Sequence, residues 1–408
     1  MIYKVGREIE VEIEDVAFGG NGVARLDGLV CFIPFAIPGE KLKVKITSVK
    51  KRFLEAEIIE ILEASEHRVE PVCELYGQCG GCQYQHMDYE TQINLKVSQL
   101  KQVLSRIGSL EEMPEIEKVV ASKNELGYRN RITLNAYKDP DNYIIYGYKH
   151  LNNRETLDVR NCPIAREEVN SLIRVLKRTP WGYKNAKREK PKAATLRHSG
   201  EDEPVIYYGS APKGMPWRKE KLNGRTFRVP LGAFYQVNPK VAEELFNITT
   251  DWLSELPQPR VIDAFCGAGF LSIGLENKHV IGIEENEASI EAAQHNALQW
   301  SIKSFNYIAG DANKMINKHL RNKGDSTILI IDPPRKGCGE KTIESIQKHK
   351  PAWVLYVSCD PATLARDLKG ICEDGHYEIS KMALLDMFPQ TSHFETMVLL
   401  KKEEVTDV

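Results

Sequence analysis

The sequence of 408 residues contains no apolar run long enough to span a bilayer, and Met1-Ile2-Tyr3-Lys4 leads into alternating polar residues instead of a signal segment. Insertion and export are therefore not expected, and a cytoplasmic location is. An even set of cysteines is also missing. Nine is an odd number for a disulfide framework, and a chain of this length with 42% hydrophobic residues buries ordinary cores without such staples. Reduced thiols are expected, some of them with chemical tasks. Nor is there an excess of one charge: 55 Lys and Arg against 57 Asp and Glu leave a formal net charge of −2. Contact with a polyanion then has to come from local clusters, not from the sum. Internal repeats and low-complexity tracts are absent. What remains is a globular chain too long for one core, for which two or three domains are the expectation.

From Gly6 to about residue 61 the pattern is strand-rich. Glu8-Ile9-Glu10-Val11-Glu12-Ile13 alternates strictly, Lys41-Leu42-Lys43-Val44-Lys45-Ile46 does so again, and Gly19, Gly20, Gly22 and Gly28 punctuate the interval. Short strands at this spacing predict a small β-barrel. Lys41, Lys43, Lys45, Lys50, Lys51 and Arg52 fall close together and read either as an edge strand protected by lysines or as an RNA-contacting face. A cysteine-rich loop follows at 73–82. Residues 88–107 read as a helix with Leu95, Val97, Leu100, Val103 and Leu104 on its apolar side. From about 118 to 229 the pattern is mixed, with strand-like pieces at 131–134 and 143–146 and a helix near 167–177. Trp181, Tyr183, Lys184, Lys187, Arg188, Lys190 and Lys192 then form a basic stretch, either a solvated loop or an RNA contact. The remainder alternates buried strands (260–263, 279–284, 327–332, 353–358) with amphipathic helices, the signature of a doubly wound parallel sheet. The tail at 401–408 is expected to fray.

In Asp263-Ala264-Phe265-Cys266-Gly267-Ala268-Gly269-Phe270 a strand ends in an acidic residue, and Gly267 and Gly269 let the backbone turn closely around a ligand. The third glycine of a dinucleotide fingerprint is missing, because Ser272 stands in its place, so a pyrophosphate is disfavoured. An acidic residue at such a turn suits the positively charged amino acid moiety of S-adenosylmethionine. Glu284, at the end of the next strand, is placed to accept hydrogen bonds from ribose hydroxyls. Asp332-Pro333-Pro334-Arg335-Lys336-Gly337 closes a further strand at the same carboxyl edge, where it either positions a target base or simply stops the strand.

Cys359, in Ser358-Cys359-Asp360-Pro361, sits just past a strand where the chain turns away and exposes the sulfur. Glu395, in His393-Phe394-Glu395-Thr396, precedes another apolar strand. Carbon 5 of uracil does not attack a methyl sulfonium directly; a thiolate added at carbon 6 makes carbon 5 an enolate carbon, and a base must afterwards remove the proton from carbon 5. Cys359 and Glu395 fit those two roles, with Arg335 as the cation expected to favour the thiolate. Cys266, Cys338 and Cys372 lack such surroundings and read as structural. Cys73, Cys79 and Cys82, in a loop with Gly77, Gly80 and Gly81, can gather three sulfurs, with Cys162 in Arg160-Asn161-Cys162-Pro163 as the fourth. Three clustered thiols plus a distant one is an iron–sulfur pattern; zinc prefers paired CxxC knuckles, of which there is one, and a metal-free loop is the third reading.

Taken together, these motifs resemble those of the S-adenosylmethionine-dependent RNA 5-methyluridine methyltransferases, in particular the iron–sulfur branch that modifies 23S ribosomal RNA. The likeness covers essentially the whole chain. It implies an α/β fold in which residues 1–61 form an OB-like TRAM barrel. Residues 62–229 would be a mixed α/β central RNA-binding domain carrying the cluster loop, with the 88–107 helix packed on the catalytic domain. Residues 230–408 would be a Rossmann-like methyltransferase domain. Gly127-Tyr128-Arg129-Asn130-Arg131 matches a family motif of the central domain. Phe234-Tyr235-Gln236-Val237-Asn238 is similar to the segment whose glutamine contacts the cofactor, and Phe265, Phe270, Glu284, Asp311 and Asp332 match further cofactor positions. The resemblance further implies Cys359 as nucleophile, Glu395 as base, and Cys73, Cys79, Cys82 and Cys162 as ligands of a 4Fe-4S cluster. The partner implied is structured RNA, ribosomal before transfer RNA, with no protein partner.

Overall fold

The strict alternation at the start of the chain becomes a six-stranded sheet with strand order Glu8–Glu12, Lys41–Val49, Phe53–Glu63, Leu29–Pro34, Asn21–Leu26, Asp15–Val16 in this computed structural model, which describes residues 3–110, 113–139, 141–152, 155–176, 179–180, 192–200, 202–212 and 217–403. Every second side chain turns inward. Val11, Ile13, Cys31, Ile33, Leu42, Val44, Ile46 and Leu54 form one apolar core, as period-two patterning requires.

The structure corrects the reading of the lysine strand as an edge. It is not an edge: it pairs on one side with Glu8–Glu12, setting Glu8 opposite Lys45, Glu10 opposite Lys43 and Glu12 opposite Lys41. On the other side Glu63, Glu60 and Glu57 face Lys41, Lys43 and Lys45. Lys41 bonds Glu63 at 2.7 Å and Lys43 bonds Glu8 at 2.9 Å. Two acidic rows thus flank one basic row, and opposite charges across neighbouring strands satisfy one another. Lys50, Lys51 and Arg52, exposed between the two strands, are what is left of the basic cluster.

The central sheet runs Thr156–Asp158, Tyr143–Lys149, Arg131–Lys138, Ala194–Arg197, Val205–Tyr208. Its helix Glu167–Val175 ends short of residue 177 and buries Val169 and Ile173 against Ile132, Leu134 and Leu196. The basic positions at 181–190 lie outside the described residues, as do 404–408 of the tail.

The C-terminal sheet has eight strands in the order Phe305–Ala309, His279–Glu284, Arg260–Ala264, Thr327–Ile331, Trp353–Ser358, Glu395–Lys402, Tyr377–Leu385, Lys118–Val120. The first five are parallel, and Glu395–Lys402 runs antiparallel to both neighbours. Strand order reverses between Arg260–Ala264 and Thr327–Ile331, opening a crevice at their carboxyl ends, where ligands of such sheets bind. The helix Tyr89–Arg106, capped by Asp88 through a 2.7 Å bond from the Thr91 amide, inserts Leu100 and Leu104 into the same core as Ile262, Leu364 and Leu368. No described helix is long and apolar enough to cross a membrane.

Candidate active site

At the crevice, Asp263 is wholly buried near the end of its strand, and Ser272 donates to its Oδ2 at 2.5 Å while its Oδ1 has no partner. The turn that follows is tightly specified. Phe265 is held at a φ of 65°, a left-handed conformation that bulky residues rarely adopt outside functional turns. Gly269 has a φ of 83°, and a Cβ there would meet the Tyr307 hydroxyl at 2.8 Å, so only glycine fits. Glu284, on the adjoining strand, accepts from the Gly267 and Asn286 amides at 3.3 and 2.9 Å.

A cleft opens against this turn. Among its lining residues are Gln236, Asp263, Phe265, Gly267, Phe270 and Asp332, together with Phe234 and Cys266. Cys266, read from sequence as structural, thus contributes to the cleft wall. Phe270 packs against Tyr235 and Phe227 at ring-centroid distances of 5.8 and 6.2 Å, so the cleft rests on an aromatic base. Asp311 stands apart, in an adjoining groove that shares Phe265; it caps the helix Ala312–Leu320 and pairs with Lys314 at 3.1 Å. The Gln236 Oε1 is buried without a partner. Burial pushes the Asp263 and Asp332 carboxyls up to about 7, and each has another carboxylate adding to its rise: Glu284 for Asp263, Asp263 for Asp332. Unpaired buried acceptors with mutually repelling carboxylates favour a cationic, hydrogen-bonding ligand, which is the character of S-adenosylmethionine.

The loop carrying Gln236 is gripped from the central domain. The Asn130 amide donates to the Val237 carbonyl at 3.0 Å, Asn130 Nδ2 to the Gln236 carbonyl at 3.1 Å, and Arg131 to the Ala233 carbonyl at 3.1 Å. Asn238 caps the next helix and donates to Ser122 at 2.9 Å. The motif at 127–131 was visible in the sequence, but its target was not, because more than a hundred residues separate Asn130 from Gln236.

Cys359 and Glu395, thirty-six residues apart, meet through strand pairing. The antiparallel register ends with Ser358 opposite Thr396, which makes Cys359 and Glu395 the next positions of the two adjoining strands. Asp360 caps the helix Pro361–Cys372, accepting from the Ala362 and Thr363 amides at 3.0 Å, so the sulfur stands beside a helix N-terminus. In the resting site the thiol is pushed up to about 12, by burial first and then by Glu395 and Asp332. Arg335 lowers it, as expected of that cation, but is outweighed. Glu395, fully buried, is held well above the usual carboxylate range by burial and then by Asp332, against Arg335. Arg335 lies in a loop anchored by Asp367, which accepts from the Cys338 amide at 2.9 Å and from Tyr356 at 2.7 Å.

Cys73, Cys79, Cys82 and Cys162 line one separate pocket together with Arg129 and Tyr148. Burial raises the Cys79, Cys82 and Cys162 thiols, Cys82 to about 12, and Arg129 opposes the rise in each. The expected ligand set is not seen as a metal site: among the described residues no group of three or more His, Cys, Asp or Glu is arranged to hold a metal ion. Cys31, by contrast, is buried in the barrel core.

Comparison with known proteins agrees with this layout. Residues 219–403 match the tRNA (uracil-5-)-methyltransferase family and residues 3–59 the TRAM domain. The chain is 30% identical to an uncharacterized RNA methyltransferase of Thermosynechococcus vestitus, covering 98% of this chain and 99% of that protein. It is 32% identical to an uncharacterized RNA methyltransferase of Halalkalibacterium halodurans, covering 96% of each. Its fold is similar to that of the tRNA (uracil-54, C5)-methyltransferase of Pyrococcus abyssi, solved with S-adenosyl-L-homocysteine, at a TM-score of 0.71 and 24% identity over 96% of this chain and all of that one. The chain therefore belongs to the family of S-adenosylmethionine-dependent RNA (uracil-5-)-methyltransferases that carry a TRAM domain.

Proposed function

We propose that this enzyme methylates carbon 5 of a uridine in structured RNA through a covalent adduct between Cys359 and carbon 6, with Glu395 as acceptor of the carbon-5 proton. The observation that carries this reading is the strand register that makes Cys359 and Glu395 neighbours beside the cleft containing Asp332. Gln236, Asp263, Phe265, Gly267, Phe270 and Asp332 would hold S-adenosylmethionine, with Gly269 shaping the turn and Glu284 and Asp311 on its flank. The cofactor supplies an electrophilic methyl group.

Cys359 gives up its proton to solvent, aided by Arg335 and the N-terminus of the 361–372 helix, and its sulfur bonds to carbon 6 while the ring's π electrons move toward the carbon-4 oxygen. Once carbon 5 is methylated, Glu395 takes its proton, the carbon 5–carbon 6 double bond reforms, and the carbon–sulfur bond breaks to return the thiolate. Burial that raises the Glu395 carboxyl makes it a stronger base when ionised. The target base has to leave its stack to reach the half-buried sulfur.

Cys73, Cys79, Cys82 and Cys162 line one pocket with Arg129. A 4Fe-4S cluster bound by Cys73, Cys79, Cys82 and Cys162 is the reading we favour, and Arg129 would offset its thiolate charge. Ribosomal RNA is the substrate we favour on the combined motifs; transfer RNA is the second reading, supported by the names of the matched family and of the Pyrococcus abyssi enzyme. Mapping 5-methyluridine in ribosomal and transfer RNA from a deletion strain tests both: loss at a ribosomal uridine supports the first, loss confined to transfer RNA the second, and no loss in either refutes the activity.

A further inference from the structure

The loop from 386 to 394, which delivers Glu395, contains a residue in an unfavourable conformation. Gln390 has a φ of 68°, in the left-handed region, yet it is 6% exposed and not glycine. Such a conformation persists only where the surroundings over-determine it. Here they come from the cysteine loop and the helix after it. The Gln83 and Tyr84 amides donate to the Gln390 carbonyl at 3.1 and 3.0 Å, and the Gln92 side chain exchanges two bonds of 3.0 Å with Gln390, accepting from its amide and donating to its Oε1. Gln83 does more. Its Nε2 donates to the Gly80 carbonyl at 3.0 Å, inside the Cys79–Cys82 turn, and its Oε1 accepts from the Ser392 amide at 3.2 Å, three residues before Glu395. The two bonds also fix which end of the amide is which. The TRAM barrel closes on the same point, since a Cβ on Gly20 would meet the Gln83 side chain at 2.8 Å.

We propose that Gln83 is a positioning residue for proton removal, tying the cysteine loop to the strand start that presents Glu395. The inference rests on Glu395 being the base, and it predicts a defect confined to one step. Removing the amide leaves the Ser392 N–H without its partner and frees the loop ahead of Glu395. Addition of Cys359 and methylation use the end of the adjoining strand and the cleft, so the proposal places the defect in proton removal. Misplacement of a catalytic group by a fraction of an ångström slows its step by about ten-fold or more.

The test uses the full-length enzyme, its metal content measured, with radiolabelled S-adenosylmethionine and the RNA substrate on denaturing gels. Gln83→Ala should accumulate a methyl-labelled protein–RNA adduct and turn over about ten-fold more slowly, while forming the trapped adduct with 5-fluorouridine RNA within about two-fold of the wild-type rate. Gln83→Glu keeps an acceptor for the Ser392 amide and should restore turnover to within about three-fold. Wild-type turnover without adduct in Gln83→Ala overturns the proposal, and so does an equal loss in both variants or equal slowing of the 5-fluorouridine reaction, each of which would mark a general structural defect. Glu395→Gln serves as the control. If it traps the adduct and Gln83→Ala does not, the positioning role alone falls; if Glu395→Gln traps nothing, the base assignment falls with it.

Discussion

If the cleft holds S-adenosylmethionine as proposed, binding should tighten as pH rises through neutrality, because burial pushes the carboxyls of Asp263 and Asp332, which line the cleft, up to about 7. The sign follows from linkage. A positively charged ligand is held best by Asp263 and Asp332 as carboxylates, so binding expels the protons they carry at lower pH, and affinity rises until both are already ionised. For one carboxyl with a pKa of about 7, the fraction ionised changes about ten-fold between pH 6 and pH 8; for two independent ones the product changes about a hundred-fold. Asp263 raises Asp332, so the two titrate as a pair and the expected change lies between these limits. Calorimetry in buffers of differing ionisation enthalpy counts the protons: between one and two should leave at pH 6 and few at pH 8.5. S-adenosylhomocysteine, lacking the sulfonium charge, should show a smaller change, and Asp332→Asn should flatten the profile. Without ligand the same raised carboxyls bind more protons in the folded than in the unfolded chain between about pH 4 and pH 7, so the free protein should lose stability as pH climbs through that interval. Proton uptake on binding, or affinity that falls as pH rises, would rule out Asp263 and Asp332 as carboxylates facing the ligand's charge.

Anaerobically purified protein should be brown with about four irons per chain, and Cys162→Ser should lose them; stoichiometric zinc without iron would instead favour a single-ion site. Replacing Lys50, Lys51 and Arg52 with Ala should weaken RNA binding and flatten the dependence of log K on log salt by about 0.7 per lost phosphate contact, whereas Lys45→Ala, opposite Glu8 and Glu57, should change the slope little. An unchanged slope for the triple variant would show that the end of the barrel is merely solvated.

Local patterns carried much of this fold. The alternation at 8–13 and 41–46, the buried strands beside Asp263, Glu284 and Asp332, and the turn with Gly267 and Gly269 are each written in a few adjacent residues. What stayed hidden depends on distant partners. The basic row at Lys41, Lys43 and Lys45 is visible in sequence, but the glutamates that register sets on both sides of it are not, because no local window contains that register. Residues 118–120 give no sign that they will extend the catalytic sheet beside Tyr377–Leu385. The fully buried pair of Lys96 and Asp386, bonded at 2.7 Å, looks in sequence like two surface charges. Arg131 and Asn130 belong to a recognisable motif, yet only the folded chain shows that they hold the Gln236 loop.

Cys359 and Glu395 are proposed to act at successive steps on the same ring, and trapping on denaturing gels with a radiolabelled methyl donor separates the two steps. Cys359→Ala should neither methylate RNA nor cross-link to it. Glu395→Gln should accumulate a denaturation-resistant adduct that already carries the label, because elimination cannot proceed while the carbon-5 proton remains. Wild-type enzyme should give such an adduct only with 5-fluorouridine RNA. Turnover by Cys359→Ala, or a Glu395→Gln enzyme of normal activity that leaves no adduct, would contradict it.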